Sequence, residues 1–204
     1  DREGIVKALV QGESIVVNSL CFPSQFGCTQ DVPTYDYNPE KAKKLLAEAG
    51  YPNGFETPFL AYRNRDYAEA MINNLNAVGI TAKFEYLKYA AFRDKVQSGG
   101  APFNFGTWGS YSINDVSAIT SHFQSGGKDD YSKDPEVIKQ LGIGDTSVDA
   151  NVRKAAYKAA LSRISGEAFM FPLWSYNTWY AFSKDVDFNP TPDEIPRFFT
   201  AKWM

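Results

Sequence analysis

The sequence predicts an α/β fold built on a parallel sheet, and the pattern of residues 59–108 carries most of that expectation. Extended and helical stretches alternate there as strand, helix, strand, helix, strand. The helical stretches close on glycine, first Gly79 and then Gly99-Gly100. The middle strand alternates cleanly, with Ala82, Phe84 and Tyr86 set against Thr81, Lys83 and Glu85. Such units connect by right-handed crossovers, which makes the strands parallel and lays helices over the sheet.

The elements follow in order. Residues 1–11 read as a helix capped by Asp1, with Ile5, Ala8 and Leu9 on one face, ended by Gln11-Gly12. Residues 12–37 scatter Pro, Gly, Ser and Asn and read as an irregular loop with a short extended piece at 14–17. Asn38-Pro39-Glu40 starts the next helix. Asparagine caps it, proline fits the first helical position, and the glutamate complements the positive helix end. Ala42, Leu45, Leu46 and Ala49 predict its buried stripe; Gly50 and the turn Pro52-Asn53-Gly54 end it.

Strands are then expected at 59–62, 80–87 and 103–108. The intervening helices span 66–78 (Met71, Leu75 and Val78 inward) and 89–98 (Phe92 and Val96 inward). Residues 109–133 are polar, with a short helix at 115–123. Asp134-Pro135-Glu136 repeats the cap pattern for a helix running to Leu141. The longest helix covers 149–169, with Val152, Ala156, Ala159 and Ile164 inward. Residues 172–183 are aromatic and strand-like. Pro190, Pro192 and Pro196 mark a linker within 184–204 that leads to one more strand.

Composition narrows the function. Of 204 residues, 44% are hydrophobic and 22% charged, as in ordinary globular chains. Aromatics reach 15%, which fits either a ring-rich core or a cleft lined with rings. The net charge of −3 and the lack of a basic run argue against a nucleic-acid partner. The chain opens on Asp1 with no signal peptide, so a segment of something longer is expected. Cys21 and Cys28 sit in a loop where either a short disulfide or two free thiols fit. With His122 the only histidine, no metal site is expected, and no sequence motif calls for a cofactor.

Catalytic constellations are sparse. Ser121-His122 lacks a Gly-x-Ser-x-Gly elbow, and Asp129-Asp130 read as solvated acids in a glycine-rich loop. There is no P-loop, Rossmann glycine fingerprint or metal-binding helix motif, so an enzyme is not expected. Residues 105–115 are more informative, because they leave the carboxyl end of a predicted strand, where open α/β sheets bind ligands. Gly106 and Gly109 leave room for a ligand. Trp108 and Tyr111 offer flat faces; Ser110, Ser112 and Asn114 offer hydrogen bonds. The competing reading is a capping loop with a core tryptophan. Arg63 and Arg65 follow the strand at 59–62. Arg63 suits an anionic ligand group, the competing readings being a solvated loop pair or a salt bridge to Asp66 or Glu69.

Four stretches together resemble a known family: DREGIVKA at 1–8, YNPEKAKKLLAEAGYPNGF at 37–55, FGTWG at 105–109 and FPLW at 171–174. The chain is similar to the second, C-terminal lobe of the family 5 extracellular solute-binding proteins for peptides, nickel and opines. The resemblance implies a periplasmic-binding-protein-like fold of type II, with helices on both faces of a mixed sheet. It implies a two-lobed ABC-importer component that closes on a small polar solute and hands it to a membrane permease. Residues 1–183 would form the lobe, and 184–204 the return segment to the missing N-terminal lobe. Export to the periplasm or cell surface is also implied, consistent with pairing of Cys21 and Cys28. Peptide-binding relatives place an aspartate shortly after the tryptophan to hold the free amine. Here Tyr111 stands at that place, with Asp115 further on. A sugar conjugate or an opine-like solute therefore stands beside a peptide as ligand. The alternative is a protein-interaction module without a small-molecule ligand, docking a partner through the aromatic C-terminal stretch.

Overall fold

The structure, a computed structural model, describes residues 1–109, 113–191 and 195–204. The chain folds as two units, Asp1–Gln11 with Thr34–Thr107, and Gly12–Pro33 with Trp108–Met204.

In the first unit, Asp1 caps helix α1 (Arg2–Ile5), its carboxylate accepting from Gly4 N at 2.8 Å. The chain continues as a π-helical turn, Val6–Val10, and stops at Gln11, whose φ of 62° no helix can hold. Helix α2 (Pro39–Glu48) begins where the cap pattern placed it, with Lys41 N donating to Asn38 Oδ1 at 2.9 Å. Its expected buried stripe is not buried: the helix buries no residue, and Leu45 is 53% exposed. An amphipathic period shows which face needs cover without supplying it.

Strand β1 (Phe55–Ala61) begins earlier than the sequence pattern indicated. It pairs in parallel along its whole length with β2 (Ile80–Tyr86) and at its carboxyl end with β3 (Asn104–Phe105), in the order β2-β1-β3. Helix α3 (Arg65–Asn76) joins β1 to β2, and α4 (Tyr89–Gln97) joins β2 to β3. The chain thus steps to one side of β1 and then back past it. With right-handed crossovers the two helices fall on opposite faces of the sheet. This explains why the consecutive residues Phe59, Leu60 and Ala61 are all buried: β1 is covered on both sides. Leu60 meets Phe92 and Val96 of α4, while Phe59 packs its ring on Phe84 and Phe103. On α3 the buried residues are Ala68 and Ile72, with the expected Met71, Leu75 and Val78 only half-buried. The expected strand at 103–108 shrinks to two residues, because only Leu60 and Ala61, at the end of β1, offer it partners.

The second unit is mainly helical. Helices α5 (Ser117–Phe123), α6 (Pro135–Thr146) and α7 (Ala150–Gly166) enclose a core of Leu20, Cys21, Val116, Val137, Leu141, Tyr157, Ala160, Leu161 and Ile164. Asp134 caps α6 through Glu136 N and Val137 N, and Asp149 caps α7 through Asn151 N and Val152 N. Arg163 clamps the Asp134 carboxylate at 2.6 and 2.8 Å and, with the Val137 N–H, holds its pKa down to about 2. The buried side of α7 is Ala156, Tyr157, Ala160, Leu161 and Ile164, whereas the expected Val152 and Ala159 are exposed. Residues 172–183 form no ladder beyond the bridge of Trp174 to Val16. A short antiparallel ribbon, β4 (Val186–Asp187) with β5 (Lys202–Trp203), occupies the expected final strand region. Among the described residues no helix is long and apolar enough to cross a membrane.

Helix α6 runs past Leu141 through two glycines that differ in purpose. A Cβ on Gly144 would lie 2.4 Å from the buried Tyr157 ring, whereas one on Gly142 would meet nothing within 4 Å. Gly144→Ala is therefore expected to destabilise the protein by about 1–3 kcal/mol through overpacking. Gly142→Ala is expected to stabilise it by about 0.5–1 kcal/mol through helix propensity. Urea denaturation midpoints of the two variants check both signs.

Candidate functional site

Open α/β sheets take ligands at the carboxyl edge where the strand order reverses, and in this sheet the order reverses between β1 and β3. The residues just past those strand ends are Tyr62 and Arg63 on one side and Thr107 on the other. Arg63 Nη1 donates to Thr107 Oγ1 at 3.0 Å, and Tyr62 Oη lies 3.2 Å from the same oxygen. The Tyr62 ring is fixed by Tyr89 at 5.0 Å and Phe92 at 4.9 Å between centroids, and the Arg63 guanidinium sits 5.9 Å from the Tyr62 centroid. Arg63 is exposed, and among the described residues it has no acidic partner. Its guanidinium is thus held by a neutral hydroxyl, with further N–H donors left to meet an anion. Arg65 differs: Nε donates to Glu69 Oε1 at 2.7 Å, and its charge is spent within α3.

In the second unit, Trp108 is half-buried and ordered by its neighbours. The His122 imidazole stacks on the indole at 4.3 Å and 25°, and Phe123 meets it edge-on at 5.1 Å. His122 Nε2 lies 3.4 Å from Asp129 Oδ2. Asn114 is exposed, and its main-chain carbonyl accepts from Phe26 N at 3.0 Å. Ser110, Tyr111 and Ser112 lie outside the described residues. Arg63 and Trp108 belong to different units, so each part of the expected site stands by itself here.

Other sequence candidates have structural duties. Ser121 Oγ donates to the Ser117 carbonyl and not to His122. Asp130 is buried and accepts from Gly126 N, Ser132 Oγ and Lys133 N. Asp115 accepts from Arg153 Nη2 at 2.7 Å and from Ser117 N at 3.0 Å. Burial alone would raise its carboxyl pKa; the Ser117 N–H and the Arg153 guanidinium outweigh that and hold it below the ordinary carboxylate value. Cys21 and Cys28 form a disulfide, which decides between the two readings of that loop.

Tyr62, Thr107 and Tyr89 went unremarked in the sequence. The available signal was positional: Tyr62 and Thr107 each follow the end of one of two adjacent strands.

Residues 1–130 match the family described as bacterial extracellular solute-binding proteins, family 5 Middle. The chain belongs to that family. Within family 5, heme-binding protein A of Haemophilus influenzae is 46% identical over 59 residues, 29% of this chain and 11% of that protein. The dipeptide-binding protein of Escherichia coli K12 is 36% identical over 104 residues, 44% of this chain and 19% of that one. The solved structure of HbpA2 from Haemophilus parasuis superposes with a TM-score of 0.87 at 26% identity, covering 100% of this chain and 43% of that one. The α/β architecture is accordingly that of the periplasmic-binding-protein-like family 5 proteins, and this chain spans less than half the length of these relatives. Both named relatives are binding proteins.

Thr107→Val removes the hydroxyl that holds Arg63 while keeping the shape of the side chain. Affinity for an anionic solute is expected to fall about fivefold, the worth of one lost hydrogen bond, with little change in melting temperature. Calorimetric titration beside a thermal melt checks both parts.

Proposed function

We propose that this chain carries one lobe of an ABC importer's solute-binding component, working outside the cytoplasm. The solute is a small polar molecule carrying a carboxylate. It is captured between two lobes that close about a hinge, and is then handed to the membrane permease. Residues 1–183 are read as the lobe, and 184–204 as the segment returning to the N-terminal lobe. The observation that carries the solute class is Arg63, exposed at the carboxyl edge of a parallel sheet and fixed by Thr107 without being neutralised. A fixed guanidinium meets a carboxylate with two parallel hydrogen bonds. The named relatives support the reading, since a heme and a dipeptide both carry carboxylates. Trp108, with Tyr111 beyond it, is read as the ring surface on which the solute packs. Ser110, Ser112 and Asn114 are read as its polar contacts. Trp179 is 84% exposed, Phe199 85% and Trp203 82%; these rings are read as surface covered by the other lobe.

A thermal-shift screen of the intact protein against dipeptides, heme, opines and sugars tests the reading, because a ligand of the native state raises the melting temperature. The hit is then titrated as free acid and as amide. Arg63→Gln is expected to weaken the free acid about tenfold to a hundredfold, the range for a hydrogen bond to a charged group, and to leave the amide unaffected. An amide that binds wild-type protein as well as the acid does would remove the carboxylate assignment. Trp108→Ala is expected to weaken binding about tenfold, with Trp108→Phe retaining most of the affinity, since a ring face is what the solute needs. Equal affinity of Trp108→Ala and wild type would take Trp108 out of the site.

A further inference from the structure

We infer that the disulfide-closed loop 21–28 and Arg153 are positioning groups for segment 113–116, which carries Asn114 and follows Trp108. The inference rests on the solute-binding reading, because that reading makes the segment part of a binding surface. Segment 113–116 lies in no helix or extended sheet, yet its backbone is held at several points. Phe26 N donates to the Asn114 carbonyl at 3.0 Å, and Val116 N donates back to the Phe26 carbonyl at 3.0 Å. Gln25 Nε2 reaches the Ile113 carbonyl at 3.4 Å. The two backbone bonds make an isolated parallel bridge between Phe26 and Asp115, and the Gln25 amide adds a side-chain contact beside it.

A bridge of that size does not stand alone, since even a two-stranded hairpin is marginal in water. It holds only as well as its partner loop is held, and loop 21–28 is held twice. The Cys21–Cys28 disulfide closes it and limits the conformations it can escape to. Gly27, at φ 80°, also presses against Tyr157 so closely that a Cβ there would lie 2.4 Å from the ring.

Arg153 then ties both halves of the bridge to helix α7. It donates from Nη2 to Asp115 Oδ2 at 2.7 Å and to Tyr157 Oη at 2.9 Å, and from Nε to the Gly144 carbonyl at 2.8 Å. The guanidinium lies 4.7 Å from the Phe26 ring centroid. Only a planar fork with several donors makes those contacts at once; a lysine can keep the Asp115 ion pair but not the set. Arg153 and Asp115 are 24% and 18% exposed in their side chains, so removing the arginine leaves a largely shielded carboxylate without its cation. Asp115 is thereby a brace for the binding segment and not a group offered to the solute.

Hydrogen exchange of the intact, unliganded protein tests this without assuming any ligand. The variants are Arg153→Met, Arg153→Lys and the double change Cys21→Ser with Cys28→Ser. Exchange over residues 113–117 is expected to speed up about tenfold or more in Arg153→Met and in the double variant, and by less in Arg153→Lys. Peptides covering 55–61 are expected to keep wild-type rates, and those covering 156–164 to speed up by less than 113–117, since Tyr157 keeps Asp145 as its partner. Wild-type exchange over 113–117 in both variants would overturn the inference. So would an equal acceleration over 156–164, which would make the groups general stabilisers of the unit. Titration with the dipeptide Met-Leu adds the functional arm. Weakening of about tenfold in Arg153→Met, with Arg153→Lys between it and wild type, is the expected result. Unchanged affinity despite faster exchange would overturn the positioning role. Failure of the wild-type protein to bind Met-Leu would count against a dipeptide as the solute, and the exchange rates would still decide the inference.

Discussion

The second unit depends on the burial of one phenol. Tyr157 is fully buried, and its ring is gripped between two glycines, Gly27 of the disulfide loop and Gly144 of α6. A tyrosine taken fully out of water needs a partner for its hydroxyl. Tyr157 has two: it donates to Asp145 Oδ1 at 2.8 Å and accepts from Arg153 Nη2. Burial pushes its pKa up to about 12; the Arg153 donor pulls the other way, and Asp145 adds to the rise. The phenol is thus a fixed neutral donor. Asp145 takes the hydroxyl proton, and the phenol oxygen in turn holds Arg153 where its guanidinium also meets Asp115 and Phe26. The packing of α6 on α7, the position of the disulfide loop and the anchoring of segment 113–116 follow from the same side chain.

The first unit solves a different problem. Arginine in solution samples many rotamers, and ordering it costs up to about 2 kcal/mol of side-chain entropy. An acidic partner orders it but consumes its charge, as Glu69 does for Arg65. A threonine hydroxyl orders it and leaves the charge in place. The aromatic support of Tyr62, from Tyr89 and Phe92, keeps the second oxygen of that small network in place. Thr107 can reach Arg63 only because β3 lies beside β1, which in turn follows from the reversal of strand order.

The elements that read well from sequence were those whose cause is local. Asn38-Pro39, Asp134-Pro135 and Asp149 announce helix starts because the capping oxygen and its N–H partners lie within three residues of each other. Phe92 and Val96 were legible because a single sheet face covers α4. What failed was decided elsewhere in the chain. Helix α6 continues past Leu141, and its Gly144 leaves the room that Tyr157 fills, which nothing near Leu141 encodes. The stripe on α7 was half right: Ala156 and Ile164 are buried, but the face turns on Tyr157 and Leu161, and Val152 and Ala159 point away from it. The α2 stripe was legible as a pattern, but a pattern does not specify its cover. The position of Arg63 at the carboxyl edge was legible, because it follows a strand. Thr107 was not, since its role depends on which strand lies next to which.

The fate of Asp115 bears on the solute itself. An acid near the tryptophan segment invites assignment as the anchor for a ligand's amine. Yet its carboxylate already accepts from Arg153 and from Ser117 N, in surroundings that shield much of it from water. Freeing it for a ligand would leave Arg153 with an unmet charge and weaken the bridge to Phe26, a loss that one new ion pair does not recover. On the proposed reading the described residues therefore offer the solute a cation, from Arg63, and ring surface, from Trp108, but no free acid at Asp115. That asymmetry favours carboxylate-bearing solutes whose recognition does not hinge on a free amine at this lobe, which a peptide, an opine and a heme satisfy to different degrees.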